Sequence, residues 1–224
     1  LVQCLDLHPD DEANRYCIQL YYHVAGAVDL ADRKVLEVGS GRGGGSHFIK
    51  RYLNPAEMMG VDFSEHAVAL CRRTYDLPGL SFAHGDAEDL PFDDASFDAI
   101  VNVESSHCYR SMTQFLQEVV RVLRPGGHFL FADFRPQEAL SDLHTALTAT
   151  GLRLQGHQDI TPNDLAAIRA DNQRKLDQIR SGKAPRWIAH LMEEFAGAPG
   201  SCIYEDFANA DTAYVSYTLQ KPIV

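Results

Sequence analysis

Three acids stand where short apolar runs of this chain end. They are Glu37 in "KVLEVGSGRGGGSHFI", Asp62 in "EMMGVDFS" and Asp86 in "HGDAEDLPF". Five glycines, Gly39, Gly41, Gly43, Gly44 and Gly45, follow the first acid. A glycine-rich turn between strand and helix lets backbone approach a ligand, and the helix start offers amide donors. A carboxylate at the end of the second strand can accept from both hydroxyls of a ribose. Asp86 can receive an exocyclic amine, with the Ala87 amide as donor to the same ring edge. Glu37 stands where it can orient an ammonium group, directly or through water. This set suits an adenosine carrying an amino acid better than one carrying a pyrophosphate. The phosphate-loop pattern GxxxxGK is missing.

Regular elements must hold these groups. Residues 11 to 29 repeat apolar positions at helical spacing, with Tyr16, Leu20, Val24 and Val28 on one face. "KVLEVG" predicts a buried strand and the glycine segment a helix to about Leu53. Further strands are expected at "EMMGVDFS", "LSFAHGDAEDL", "FDAIVNVES", "HFLFADF" and "LRLQGHQDI". Helices lie between them around 66–75, 114–123 and 143–150. Arg124 and "PGG" close the helix before "HFLFADF". This alternation predicts an α/β fold with a parallel sheet covered on both faces. Residues 161 to 200 interrupt the rhythm with a helix that begins at a Thr161 cap and Pro162, and a second near 184–196. "TAYVSYTLQK" supplies a last strand. The simplest account is one domain over 1–224 with a helical insertion at 161–200, which can act as a lid over an acceptor site.

The chain has 224 residues and formal charge −11. An acidic chain without concentrated Lys and Arg argues against a nucleic-acid partner. No run has the length and apolarity of a membrane span, so no transmembrane association is expected. The first ten residues lack the order of a secretory signal, which favours a cytoplasmic location, and the missing initial Met points to a trimmed start. Cys4, Cys17, Cys71, Cys108 and Cys202 are scattered and odd in number. They read as free thiols without zinc spacing.

The segments "VLEVGSGRGGGSHFI", "GVDFSEHAV", "GDAEDLPFDDASFDAIVNVESSHCY" and "EVVRVLRPGGHFLFADF", in this order, resemble the successive motifs of class I S-adenosylmethionine-dependent methyltransferases. "EVGSGRGGGSHFI" with "NVESSHCY" is similar to actinobacterial small-molecule and lipid O-methyltransferases, including the phthiotriol and fatty-acid methyltransferase group. The resemblance implies a doubly wound, seven-stranded Rossmann-like sheet with an antiparallel last strand, and S-adenosyl-L-methionine as cofactor. Gly39, Ser40, Gly41 and Gly43 would then pack round its methionine and ribose portions. Asp62 would bind the ribose, Phe63 would flank adenine, and Asp86 with Ala87 would recognise its polar edge. Asn102, Val103 and Glu104 would line the methionyl side, Glu37 would face the ammonium, and Tyr16 and Tyr21 would close the pocket.

Methyl transfer to a hydroxyl needs in-line placement and a base, and imidazole suits that task. His107 is the leading candidate because it follows the fourth-strand motif on the methyl side, with Glu104 three residues earlier as a group that could orient it. His157, Asp159, Asp133, Arg135 and His190 are further rim candidates, whereas His84 and His128 read as structural. No set of residues has metal-ligand spacing strong enough to claim a site, so no metal is assigned; His107, Asp133 and His157 could meet in space, and metal dependence stays open as the runner-up. The expected acceptor is the hydroxyl or carboxylate of a small, apolar, lipidic or glycosylated metabolite. Trp187, Ile188, Met192 and Phe195 are candidates for an apolar wall. N- or C-methylation and a noncatalytic cofactor-binding protein are the alternatives, and a homodimer is admitted as a partner state.

Overall fold

Runs of aliphatic and aromatic residues buried on both faces set the central strands of a seven-stranded sheet, such as Lys34–Val38 and Phe97–Val103. In this computed structural model, which describes residues 5–181 and 201–223, the strands are β1 (Lys34–Val38), β2 (Glu57–Asp62), β3 (Leu80–His84), β4 (Phe97–Val103), β5 (Leu123–Pro136), β6 (Arg153–Asp159) and β7 (Thr212–Gln220). They lie side by side in the order β3-β2-β1-β4-β5-β7-β6. β1 to β5 pair in parallel, and β1 lies between β2 and β4. β7 runs against β5. Gly126, near the start of β5, donates to Lys221 just past the end of β7, and Gln137, just past β5, donates to Asp211 just before β7. The expected doubly wound sheet with an antiparallel last strand is therefore present.

The helices are α1 (Arg15–Ala25), α2 (Gly44–Tyr52), α3 (Glu65–Thr74), α4 (Met112–Val122), α5 (Leu140–Thr148), α6 (Thr161–Ser181) and α7 (Cys202–Ala208). α4 shows why the sequence folds this way. Ser111 caps it by accepting from the Gln114 amide, a contact of about 1 kcal/mol. Phe115, Leu116, Val119 and Val122 form its buried stripe. Completely burying such a side chain contributes about 1.5 to 3 kcal/mol. Phe115 meets the buried Phe129 of β5 edge-on, with ring centroids 6.0 Å apart.

Several boundaries differ from the sequence reading. Pro9 opens a 3₁₀ turn, Pro9–Asn14, so the first α-helix starts only at Arg15. "RPGG" belongs to β5 rather than to the end of a helix: Leu123 is already extended and pairs with Phe97, and the register shifts between Phe97 and Ala99 to absorb the glycines. The Thr161 hydroxyl accepts from the Tyr214 amide instead of capping, and Asp159 receives the Thr161 amide. The helix α7, capped by Ser201, has no counterpart in the sequence reading. The helix expected near 184–196 lies outside the described residues, with Trp187, Ile188, His190, Met192 and Phe195.

The chain divides into two compact units. One comprises the chain to Asp133, Ser141–Gln158 and the chain from Ser216, and the other comprises Phe134–Leu140 and Asp159–Val215. The first unit carries every residue singled out above for the cofactor, and His107. Among the described residues no helix is long and apolar enough to cross a membrane.

Candidate active site

Strand order reverses beside β1, whose partners on either side are β2 and β4. In such sheets a crevice opens beyond the carboxyl ends of the strands at that point. Glu37 and Val38 end β1, Asp62 ends β2, and Asn102 and Val103 end β4. The register Glu37↔Val101 brings Val38 level with Asn102. One edge of the sheet thus gathers residues that the sequence spreads from Glu37 to Val103.

The glycine turn follows from close packing. Gly39 has φ +76°, and a Cβ there would lie 2.3 Å from the Ser105 hydroxyl oxygen. Gly45 admits the Tyr21 ring, whose carbons would come within 2.1 Å of a Cβ. Gly41 differs: a Cβ there would meet nothing within 4 Å, so this part of the turn borders open space. Gly43, also at positive φ, starts α2 without any side-chain cap. Ser40 is buried next to Gly60, with no hydrogen-bond partner for its hydroxyl.

Behind the turn, Glu37 has no exposed surface. It accepts from Tyr21 at 2.6 Å and from the Ser46 hydroxyl. Burial pushes its carboxyl up to about 7, against the lowering effect of those two donors. Burial, and then the Glu37 charge, also push the Tyr21 phenol well above its ordinary value. Tyr21 therefore spends its hydroxyl on Glu37, and only its ring is left to line a pocket. Tyr16 is half-buried on the same helix.

Asp62 grips the turn. Its Oδ2 accepts from the Gly41 amide at 2.7 Å and its Oδ1 from the Ser64 amide at 2.9 Å. One lone pair on each oxygen remains for a ligand. Phe63 beside it is 71% exposed, an unusual setting for a ring and one that a stacked base would cover. The His84 ring meets the Phe63 carbonyl at 3.0 Å, which fits its structural reading. Asp86 receives the Glu88 amide at 2.9 Å and closes a turn to Asp89 around the buried Ala87.

After β4, Glu104 adopts φ +51° and its amide bonds the Ala132 carbonyl, turning the chain into the short helical turn Ser106–Cys108. That turn folds over Asp133 on β5. Asp133 is completely buried and accepts from the Ser106 hydroxyl at 2.6 Å, the His107 amide at 3.0 Å and His107 Nδ1 at 2.8 Å. An ionised carboxylate only accepts, so Nδ1 carries the proton and Nε2 keeps its lone pair. The His107 side chain is 29% exposed. A buried acid orienting a partly exposed imidazole is the arrangement of a general base.

The acid bonded to the His107 ring is Asp133, whereas the sequence reading offers its neighbour Glu104 for that place. Asp133 lies within β5, and the Val103↔Ala132 pairing sets it level with Glu104. The other described candidates have local partners of their own. His157 stacks on Tyr217 with ring centroids 4.2 Å apart, beside His144. Asp159 serves the start of α6, and the Arg135 guanidinium bonds the Phe134 carbonyl. Among the described residues no group of three or more His, Cys, Asp or Glu side chains could hold a metal ion.

Comparison with known proteins adds a separate line of observation. The methyltransferase-domain family profile matches residues 36–131. The chain is 41% identical over 217 residues to the phthiotriol/phenolphthiotriol dimycocerosates methyltransferase of Mycobacterium tuberculosis, covering 97% of this chain and 80% of that one. It is 38% identical over 218 residues to the fatty-acid O-methyltransferase of Mycolicibacterium smegmatis, covering 97% and 78%. Among solved structures, geranyl diphosphate C-methyltransferase from Streptomyces coelicolor A3(2), in complex with Mg²⁺, geranyl diphosphate and S-adenosyl-L-homocysteine, superposes with a TM-score of 0.66. It is 17% identical and the match covers 97% of this chain and 88% of that one.

Proposed function

The chain belongs to the class I S-adenosylmethionine-dependent methyltransferases, and from that premise we propose that it methylates a hydroxyl oxygen of a small apolar metabolite, with His107 as the general base. The observation that carries this reading is the 2.8 Å contact between His107 Nδ1 and the buried Asp133 carboxylate. The enzyme class and its cofactor follow from the family.

The residues present fit that cofactor. Asn102 is fully buried, yet its Oδ1 has no partner among the described residues. An orphaned buried acceptor costs about 1 to 3 kcal/mol until a donor reaches it. The open side of Gly41 and the free lone pairs of Asp62 lie on the same sheet edge. In this assignment Asp62 receives the ribose hydroxyls, Phe63 covers one face of adenine, and Asp86 with Ala87 meets the polar edge of the base. Gly39, Ser40, Gly41, Gly43, Val103 and Glu104 border the methionyl part, with Glu37, Tyr21 and Tyr16 behind or beside the turn.

S-adenosylmethionine supplies a methyl group already activated on a sulfonium centre. The chain's own work is then to hold the acceptor in line and take its proton. His107 Nε2 takes the hydroxyl proton as the oxygen attacks, and Asp133 holds the ring in the tautomer that leaves Nε2 basic. The resulting imidazolium lies against the Asp133 charge, which stabilises it. Such proton transfer contributes about 10²- to 10⁴-fold to the rate.

The apolar acceptor rests on the relatives, one named for phthiotriol dimycocerosates and one for fatty acids. The fatty-acid relative favours a second reading, in which the acceptor is a carboxylate. That group is ionised near neutral pH and needs no base. Labelled methyl transfer to a long-chain alcohol and to a long-chain fatty acid, with products identified by mass, separates the two. A methyl ether supports the proposal and a methyl ester the second reading. A product methylated on carbon or nitrogen overturns both.

A further inference from the structure

Asn102 is fully buried and its Oδ1 has no partner among the described residues, so the contacts of its NH₂ group decide which way the amide is turned. Asn102 Nδ2 lies 2.9 Å from the Val38 carbonyl, 2.8 Å from the Ser105 hydroxyl and 3.0 Å from the Tyr109 hydroxyl. The two hydroxyls bond each other at 2.9 Å. The Val38 carbonyl can only accept, so the amide must present its NH₂ group on this side. Oδ1 is left on the other side, fully buried and unpartnered.

The node is built into the surrounding fold. Gly39 makes room for it, since a Cβ there would overlap Ser105 and lie 3.0 Å from the Tyr109 hydroxyl. The Tyr109 ring packs edge-on against Phe115 of α4 at 4.9 Å. Burial pushes its phenol well up, which keeps the hydroxyl protonated and neutral. The glycine turn, the end of β4 and the loop after it thus meet at one hydrogen-bonded point.

We propose that Ser105 and Tyr109 are positioning residues that lock the Asn102 amide with Oδ1 on the side away from Val38, leaving an acceptor for the ammonium group of the cofactor's amino-acid portion. The inference rests on the cofactor reading above and deepens it. Neither residue has to touch the cofactor. Without their hydroxyls only Val38 opposes rotation of the amide, and the rotated form would turn an NH₂ donor towards the ammonium.

The test compares two ligands that differ in the amino-acid portion. S-adenosylhomocysteine carries the ammonium, while 5′-methylthioadenosine keeps the adenosine and thioether but lacks it. Calorimetric titration of Tyr109→Phe and Ser105→Ala should show S-adenosylhomocysteine binding about 3- to 10-fold weaker, the loss of one net hydrogen bond. Binding of 5′-methylthioadenosine should stay within about twofold, since it makes no demand on Oδ1. Asn102→Ala should give the same selectivity with a larger loss. Ser105→Ala, a small change at a half-buried loop position, keeps the test available if Tyr109→Phe or Asn102→Ala folds poorly. Equal losses for both ligands, or unchanged S-adenosylhomocysteine affinity, would overturn the proposal. A wild-type protein that binds neither ligand would instead overturn the cofactor assignment beneath it.

Discussion

Glu37 on β1 and Asp133 on β5 are both completely buried carboxyls, yet their surroundings differ. Glu37 accepts from the Tyr21 and Ser46 hydroxyls and from the Ser46 amide, and burial raises its carboxyl to about 7. Asp133 has among its donors the Ser106 hydroxyl and both the amide and the ring of His107. The first network closes on itself behind the glycine turn. The second reaches outward through an imidazole that keeps part of its surface exposed. Burial is common to both carboxyls; what sets Asp133 apart in the proposed mechanism is the imidazole among its hydrogen-bond donors.

The largest effect should come from breaking the outward network. Asp133→Asn offers Nδ1 an amide that can donate as well as accept, so the tautomer with a basic Nε2 is no longer enforced. Methyl transfer to an alcohol should fall about 10²- to 10⁴-fold. S-adenosylhomocysteine affinity should stay within about threefold, since Asp133 makes no cofactor contact in this account. Steady-state rates measured across pH alongside calorimetry check both. A variant with a normal rate and an unchanged pH profile would make Asp133 merely structural.

The inward network should respond to pH instead. The folded Glu37 holds its proton up to about pH 7, whereas its ordinary value is 4.5. Folding therefore favours the protonated form. This contribution to stability is complete below about pH 4.5 and is lost as pH rises through about 7. Glu37→Gln stays neutral throughout, so its stability relative to wild type should rise over that window, by at most roughly 3 kcal/mol. Urea unfolding of both proteins at pH 4.5, 6 and 8 measures it. A difference that does not change with pH would contradict a raised carboxyl.

Asp62→Ala sharpens the contrast from the cofactor side. It removes an acceptor for the ribose and also frees the Gly41 amide. Cofactor affinity should weaken by about 1 to 3 kcal/mol. Titration with S-adenosylmethionine giving wild-type affinity would take Asp62 out of the site. The smallest effect should be that of Tyr21→Phe, which deletes one hydroxyl from Glu37 and leaves the ring against Gly45. A loss of about 0.5 to 1.5 kcal/mol in folding stability is expected from denaturant unfolding. A loss as large as that of a core cavity would mean that the hydroxyl holds more than Glu37.

The same contrast explains what the sequence made legible. The glycine turn and the strand-end acids are local features, and a strand-turn-helix pattern of this kind determines its own geometry. His107 was visible because it follows the β4 motif directly. Its partner was harder to see, since Asp133 lies 26 positions away and only the pairing of β4 with β5 brings it under the loop. The Asn102, Ser105 and Tyr109 node was hidden for a related reason. Its members are close in sequence, but its geometry depends on the Val38 carbonyl of another strand. "RPGG" misled because a breaker usually ends a helix, whereas here a register shift carries it inside β5.

The central claim is that His107 takes the proton from a hydroxyl acceptor, and single-turnover methyl transfer by His107→Asn tests it most directly. Wild type and variant should be compared from pH 5.5 to 9, with an alcohol acceptor and saturating S-adenosylmethionine. The account predicts a rate lower by about 10²- to 10⁴-fold, the loss of the imidazole limb of the pH profile, and cofactor affinity within about threefold of wild type. Near-wild-type transfer across that range, with cofactor binding intact, would contradict it.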